Sequence, residues 1–148
     1  MNDYSLILEQ AKALLESESD PMANAANLSA LVFNSVGNLN WAGFYFLRDD
    51  ELVLGPFQGQ VACTRIAPGK GVCGTAFAER STQVVADVHE FEGHIACDAA
   101  SESEIVVPFY ATQLQGVLDI DSPTKARFSK PEQDFFEALT SLYAASFA

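Results

Sequence analysis

Apolar residues recur along the chain with two different periods. Between Asn2 and Glu18, Tyr4, Leu6, Ile7, Leu8, Ala11, Leu14 and Leu15 largely follow the spacing of an amphipathic helix. Asp20-Pro21 interrupts that pattern. Asp20 can cap a second helix, and Pro21 suits its first turn. The second helix carries Ala25, Ala26, Leu28, Leu31, Val32 and Val36 and stops near Gly37-Asn38. From Trp41 the composition changes. The run Trp41–Leu47 is rich in aromatics and reads as a strand. Arg48–Glu51 is a hairpin turn, Leu52–Phe57 the return strand and Ala62–Ile66 a short third strand. A loop at Pro68–Gly71 leads to a short helix over Val72–Arg80 and a brief strand over Gln83–Ala86. Asp87–Ser101 has no regular period. Two further strands, Glu104–Tyr110 and Gln115–Ile120, flank a tight turn near Ala111–Gln113. The spacing predicts a last helix over Pro131–Phe147, with Ser129 as its cap.

Strands grouped between terminal helices favour an α+β fold with a largely antiparallel sheet over a doubly wound parallel one. The simplest assembly is a single domain over residues 1–148. Six strands form its sheet, the N- and C-terminal helices pack on one face, and the functional loops lie on the other.

Charge narrows the set of partners. The chain has 148 residues, with 8 Lys and Arg against 20 Asp and Glu, a formal charge of −12. A chain so acidic is ill suited to a nucleic-acid backbone, where Lys and Arg must replace counterions, or to an anionic membrane surface. It favours a cationic group on a small ligand. Met1–Gln10 does not read as a signal peptide, and no apolar run reaches the ~18–20 residues of a membrane span. A cytoplasmic location is therefore expected, and three cysteines, an odd number, agree with it.

Those cysteines are Cys63, Cys73 and Cys97, none in a CxxC pair. Each could be a small buried hydrophobe, because free cysteine is among the most buried residue types. Cys97 departs from that pattern, since it sits in the polar segment Gly93-His94-Ile95-Ala96-Cys97-Asp98. A helix starting near Asp98 would set backbone N–H groups beside its sulfur and lower the thiol's pKa. His94 could assist. Alternatively His89, His94 and Cys97 could bind a metal, with Cys63 or Cys73 as a fourth ligand. Their spacing does not match the usual paired zinc ligands, and no metal is expected.

A second constellation is acidic. In Val117-Leu118-Asp119-Ile120-Asp121, strand period two sets Asp119 and Asp121 on one face and Leu118 and Ile120 on the other. Such acids often simply face water. If the two late strands pair through their turn, however, Glu104 approaches Asp119 and Asp121. Three clustered acids repel, so either one keeps a proton or a cation sits among them. Trp41 and Tyr45, four apart on a strand, share a face. They serve either the core or the wall of a small apolar pocket.

Six stretches carry a more specific signal: Leu54–Gly59, Gly69–Gly74, Gln83–His89, Gly93–Ser101, Ser103–Pro108 and Gly116–Ser122. Together they resemble the free methionine-(R)-sulfoxide reductases, single-domain enzymes of GAF-like fold. A generic GAF domain shares the layout and the Gly-Val-Leu strand, but not the three cysteines with Glu104, Asp119 and Asp121. The resemblance implies that Cys97 is the catalytic cysteine and attacks the sulfoxide sulfur of free methionine sulfoxide. Asp121 or Glu104 would donate the proton, and Cys97 would become a sulfenic acid. Cys63 would resolve it as a Cys63–Cys97 disulfide, with Cys73 an auxiliary or alternative partner. Thioredoxin would supply the electrons, with no bound cofactor, in defence against oxidative stress. Asp119, Glu104 and Asp121 would bind the substrate, Asp119 and Glu104 pairing with its ammonium. Trp41 and Tyr45 would enclose its methyl group. Backbone N–H groups near Gly71–Gly74 or the Cys97 loop would receive its carboxylate. A homodimer is compatible with this type of domain. The competing reading is a GAF-type sensor that binds a small ligand without turnover.

Overall fold

Asp49 and Asp50 both adopt left-handed backbone angles, φ 49° and 68°. Two such residues in succession make the tight turn that matches strand twist. They join β1 (Trp41–Arg48) to β2 (Glu51–Gly59) in a computed structural model that describes residues 3–94 and 99–148. The remaining strands are β3 (Arg65–Ile66), β4 (Gln83–Val85), β5 (Ser103–Tyr110) and β6 (Gln115–Ser122). All pairings are antiparallel, in the order β3-β2-β1-β6-β5-β4. The fold is α+β with a six-stranded sheet, as the grouping of strands between terminal helices predicts.

Helix α1 (Tyr4–Glu16) is capped by Asp3 and α2 (Pro21–Ser35) by Asp20, whose carboxylate accepts the Ala23 N–H at 2.8 Å. Helix α3 (Gly71–Glu79) follows β3, and α4 (Lys130–Ala145) ends the fold with a Ser129–Glu132 capping box. Among the described residues no helix is long and apolar enough to cross a membrane.

The pleat divides the apolar residues between two cores. Phe44, Phe46, Ile105, Phe109, Leu118 and Ile120 pack against the inner faces of α1, α2 and α4. Trp41, Tyr45, Val106 and Val117 point to the other face, where Val72, Cys73 and Ala76 of α3 cover them. Period-two alternation is thus obeyed, with both sheet faces buried. The terminal helices take one face and the connecting segments the other.

Two expected elements differ. Residues Ala62–Thr64 are not strand, and β3 is only Arg65–Ile66. Side chains from β1 engage the backbone just before it. Trp41 Nε1 donates to the Gln60 carbonyl at 3.0 Å, and the Tyr45 hydroxyl to the Cys63 carbonyl at 2.9 Å. These bonds tie the segment to the sheet face, while the Thr64 carbonyl accepts from the Leu54 N–H of β2 at 3.0 Å. No helix follows position 98 either, since 99–100 are a turn. Backbone bonds from Glu102 N–H to the Ser122 carbonyl and from Val88 N–H to the Glu102 carbonyl draw this segment into extended structure. In the irregular stretch from Asp87, Val88–Glu90 form a single 3₁₀ turn.

Gly116 marks the tightest approach between central strands. A Cβ there would sit 2.0 Å from the Tyr45 carbonyl oxygen and 3.1 Å from Phe46 Cα. Backbone cannot yield as a flexible side chain can. Gly116→Ala should therefore cost about 3 kcal/mol, at the upper end for overpacking, as measured by urea unfolding. A loss under ~0.5 kcal/mol would contradict this close approach.

Candidate active site

The register of the central strands assembles the acidic side chains. Glu104 of β5 lies directly opposite Asp121 of β6, and Val106 opposite Asp119. On the other side of β6, Trp41 lies opposite Asp121 and Gly43 opposite Asp119. Glu104, Asp119, Asp121, Trp41 and Tyr45 thus share one sheet face, as strand period predicts. Gly43 leaves room there. A Cβ on it would meet the Trp41 ring at 2.8 Å and Phe57 Cβ at 2.3 Å. Trp41 stacks between Phe57 and Tyr45, with centroids 5.1 and 6.0 Å away.

Helix α3 and the residues before it close this face. The hollow between them has a volume of about 40 Å³. Its walls include Trp41, Tyr45 and Ile66, its far side Lys70–Cys73, and its floor Glu104 and Asp119. Such a space holds a water or a methyl-sized group. A larger hollow of about 650 Å³ lies between β5 and α4. It is an open groove on the helix-covered side, and Glu104, Asp119, Asp121, Cys63 and Cys73 are not among its described lining residues.

Burial decides the electrostatics. Glu104 and Asp119 are 7% and 6% exposed, and Asp121 is partly buried. Among the described residues every ion pair lies elsewhere, so no Lys or Arg neutralises the cluster. Burial first, and then the neighbouring acids, pushes Glu104 well above the usual carboxylate range. Asp121 is raised by burial and then by Asp119, against the Ser101 hydroxyl, which donates to its Oδ2 at 2.9 Å. Asp119 is also raised by burial, but Glu104, Cys73 and Asp121 act as donors that favour its charged form. Burial thus raises all three carboxyls, and the donors around Asp119 oppose the rise there. Asp119 Oδ1 and Asp121 Oδ1 are both buried without a hydrogen-bond partner, which leaves acceptors available to a cationic ligand. Tyr45 is held neutral by burial and then by the charge of Asp119.

The cysteines occupy different environments. Cys73, in the first turn of α3, is a free thiol only 5% exposed. Burial and then Asp119 raise it well above an ordinary thiol. Cys63 lies between β2 and β3 and is disulfide-bonded. Cys97, the expected nucleophile, lies outside the described residues. His94 is partly buried and within electrostatic range of Asp119, and burial lowers its pKa. His89 is exposed and pairs with Asp87 at 3.1 Å and Glu102 at 3.9 Å, while its charge, after burial, also lowers the pKa of His94.

Sequence reasoning missed two supports. Asn40 Nδ2 donates to Ser101 Oγ at 3.0 Å, and Ser101 donates in turn to Asp121. Neither residue belongs to a spacing pattern; only its place just before β1 or β5 hints at a role. Lys70, at the wall of the hollow, also went unmarked beyond its loop.

A GAF domain family model matches residues 23–148. The chain is 52% identical over 131 residues to the free methionine-R-sulfoxide reductase of Escherichia coli (strain K12), covering 88% of this chain and 79% of that one. It is similar to the reduced form of the fRMsr of Staphylococcus aureus with a TM-score of 0.96 at 50% identity, covering 100% of this chain and 97% of that one. The free methionine-R-sulfoxide reductase from Neisseria meningitidis in complex with its substrate aligns with a TM-score of 0.93 at 42% identity, covering 97% and 87%. The chain belongs to the GAF domain family and, within it, to the family of the free methionine-R-sulfoxide reductases.

Raised carboxyls have a stability consequence of definite sign. A buried acid with a folded-state pKa above its unfolded value holds a proton that the unfolded chain releases. Its contribution is fully present below the ordinary carboxylate range and is lost as pH rises through the raised value. Glu104→Gln removes that titration while keeping the shape of the neutral acid. Relative to the parent, the variant should gain about 2–6 °C in melting temperature between pH 5 and pH 8. Thermal unfolding at the two pH values checks this; an equal difference at both would contradict the raised carboxyl.

Proposed function

We propose that this protein reduces free L-methionine (R)-S-oxide to L-methionine. The observation that carries this reading is the unneutralised acid cluster on the floor of a small aromatic-walled hollow. A free amino acid brings an ammonium group that Asp119 and Glu104 can pair with. A methionine within a chain has an amide there instead. The S-methyl end fits the space beside Trp41 and Tyr45. The names of the relatives and the substrate complexes of the neighbouring structures support the same substrate.

Cys97 acts as the nucleophile. Its sulfur attacks the sulfoxide sulfur, and Glu104 or Asp121, kept protonated, donates to the departing oxygen. The oxygen passes to Cys97, methionine leaves, and Cys97 becomes a sulfenic acid. Cys63 then condenses with it, forming a Cys63–Cys97 disulfide and releasing water. The disulfide-bonded state of Cys63 supports that assignment. Cys73 is suited to a reserve role, because its buried thiol resists ionisation beside Asp119. Thioredoxin, as a dithiol, returns both cysteines to thiols by exchange. The two electrons come entirely through sulfur, so no bound cofactor takes part.

Turnover of the purified R and S epimers with dithiothreitol, and of a peptide-bound control, tests the reading. Methionine should form from the free R epimer and hardly at all from the other two. Cys97→Ser should abolish the first turnover, whereas Cys63→Ser should keep it and slow recycling by thioredoxin. Asp121→Asn should lower kcat about 10²-fold, the lower range for lost general-acid catalysis. Asp119→Asn should mainly raise KM. Full turnover by Cys97→Ser would overturn the mechanism, and tight binding of the sulfoxide without turnover would instead identify a sensor.

A further inference from the structure

Cys73 brings a third kind of donor to the acid cluster. Its Sγ, one oxygen of Glu104 and one oxygen of Asp119 all lie within 4.8 Å of one another. They come from three separate elements, α3, β5 and β6, so tertiary packing alone puts them together. All three side chains are more than nine-tenths buried. Asp119 also presents a buried oxygen with no hydrogen-bond partner, and its side chain lines the hollow. The charged groups facing the cluster are Asp121 across the strand, Lys70 at the wall and His94 near Asp119. No described Lys or Arg forms an ion pair with it.

We infer that the reduced protein binds a thiophilic divalent cation, with Zn²⁺ the best match, through Cys73 Sγ and one oxygen each of Glu104 and Asp119. The donor set selects the metal. One sulfur with two carboxylates suits a borderline ion such as Zn²⁺, whereas Mg²⁺ and Ca²⁺ take oxygen ligands. Tetrahedral Zn²⁺, with bonds of about 2.3 Å to sulfur and about 2.0–2.2 Å to oxygen, would draw the three ligands slightly closer together. Water completes the fourth position. On binding, the Cys73 thiol proton and a proton held by the carboxyls leave to solvent, and nothing is oxidised or reduced. The ion is an inhibitor and not a catalyst, because it occupies the oxygens that an ammonium group would use. Binding itself rests only on the geometry, and inhibition alone rests on the proposed activity.

The Cys63→Ser/Cys97→Ser double variant of the full chain leaves Cys73 as the sole thiol and separates this site from any redox pair. Titration with Co²⁺ should give one equivalent of bound metal, with a thiolate-to-cobalt band in the near ultraviolet and tetrahedral bands in the visible. Zn²⁺ should displace it and raise the melting temperature, whereas Mg²⁺ should do neither. Adding Cys73→Ser to the double variant should remove the near-ultraviolet band. Glu104→Gln and Asp119→Asn should each weaken Zn²⁺ binding about tenfold or more. The inference is overturned if the double variant shows no saturable Co²⁺ spectrum and no rise in melting temperature with Zn²⁺. It is equally overturned if Glu104→Gln and Asp119→Asn, each added to the double variant, leave the Zn²⁺ affinity unchanged. None of these readouts uses turnover, so the absence of reductase activity would leave them intact, and failure of metal binding would leave the reductase reading standing.

Discussion

Three carboxyl groups set side by side on one sheet face, with no Lys or Arg among the described residues ion-paired to them, set the terms for the rest of this molecule. Two full negative charges 4.8 Å apart, the upper limit for the Glu104 and Asp119 oxygens, would repel by about 3.5 kcal/mol at an effective dielectric of 20. That is a sizeable part of a typical domain's stability. The cluster avoids it by retaining protons, and the fold is arranged so that it can. Burial raises all three carboxyls, whereas Ser101, which donates to one oxygen of Asp121, works the other way and favours its charged form. What results is a cluster that holds protons more tightly than a solvated surface patch would.

The cost is met on the opposite face of the same strands. Leu118 and Ile120 alternate with Asp119 and Asp121, and they enter the core beneath α1, α2 and α4 together with Phe44, Phe46 and Phe136. Each turn of the pleat therefore pairs a destabilising group on one side with a stabilising one on the other. Tight register follows. A slip of one residue along β6 would drive both acids into the aromatic core and Leu118 and Ile120 into the site. The approach of Gly116 to the Tyr45 carbonyl belongs to the same constraint, because it fixes the β1–β6 register at the end of the pairing away from the acids.

Much of this was legible in the residues. Period two in Val117–Asp121, the aromatics of Trp41–Leu47 and the Asp20-Pro21 cap depend on neighbours in sequence, and all three appear where the pattern puts them. The approach of Glu104 to Asp121 also followed from strand pairing through a short turn. What escaped was long-range. A strand that carries two acids reads equally well as a solvated face, and only α3, arriving from elsewhere in the chain, buries it. The segment 62–64 looked extended enough for a strand, yet Trp41 and Tyr45 engage the backbone around it from β1. The helix expected near Asp98 failed because Glu102 is claimed by Ser122, again a partner distant in sequence. The Asn40–Ser101–Asp121 relay joins three segments that no local pattern connects.

The same physics bears on selectivity. A site of clustered acids with no ion-paired Lys or Arg among the described residues attracts any cation small enough to reach it, so charge alone cannot define a ligand. The choice must come from what surrounds the charge. The rings of Trp41, stacked on Phe57, and of Tyr45 border a space of about 40 Å³ that accepts a methyl group but not a bulky side chain. The Cys73 thiol, poorly ionised while Asp119 is charged, gives no incentive for a simple ammonium but a strong one for a metal that can displace its proton. On the proposed function and the inferred metal site, an organic cation would be recognised by shape on one side of the cluster and a metal ion by its sulfur on the other, with Asp119 common to both. Exchanging the cysteine for a hydroxyl should keep the first affinity and weaken the second, and for that reason the two cationic ligands can be separated in a single side chain.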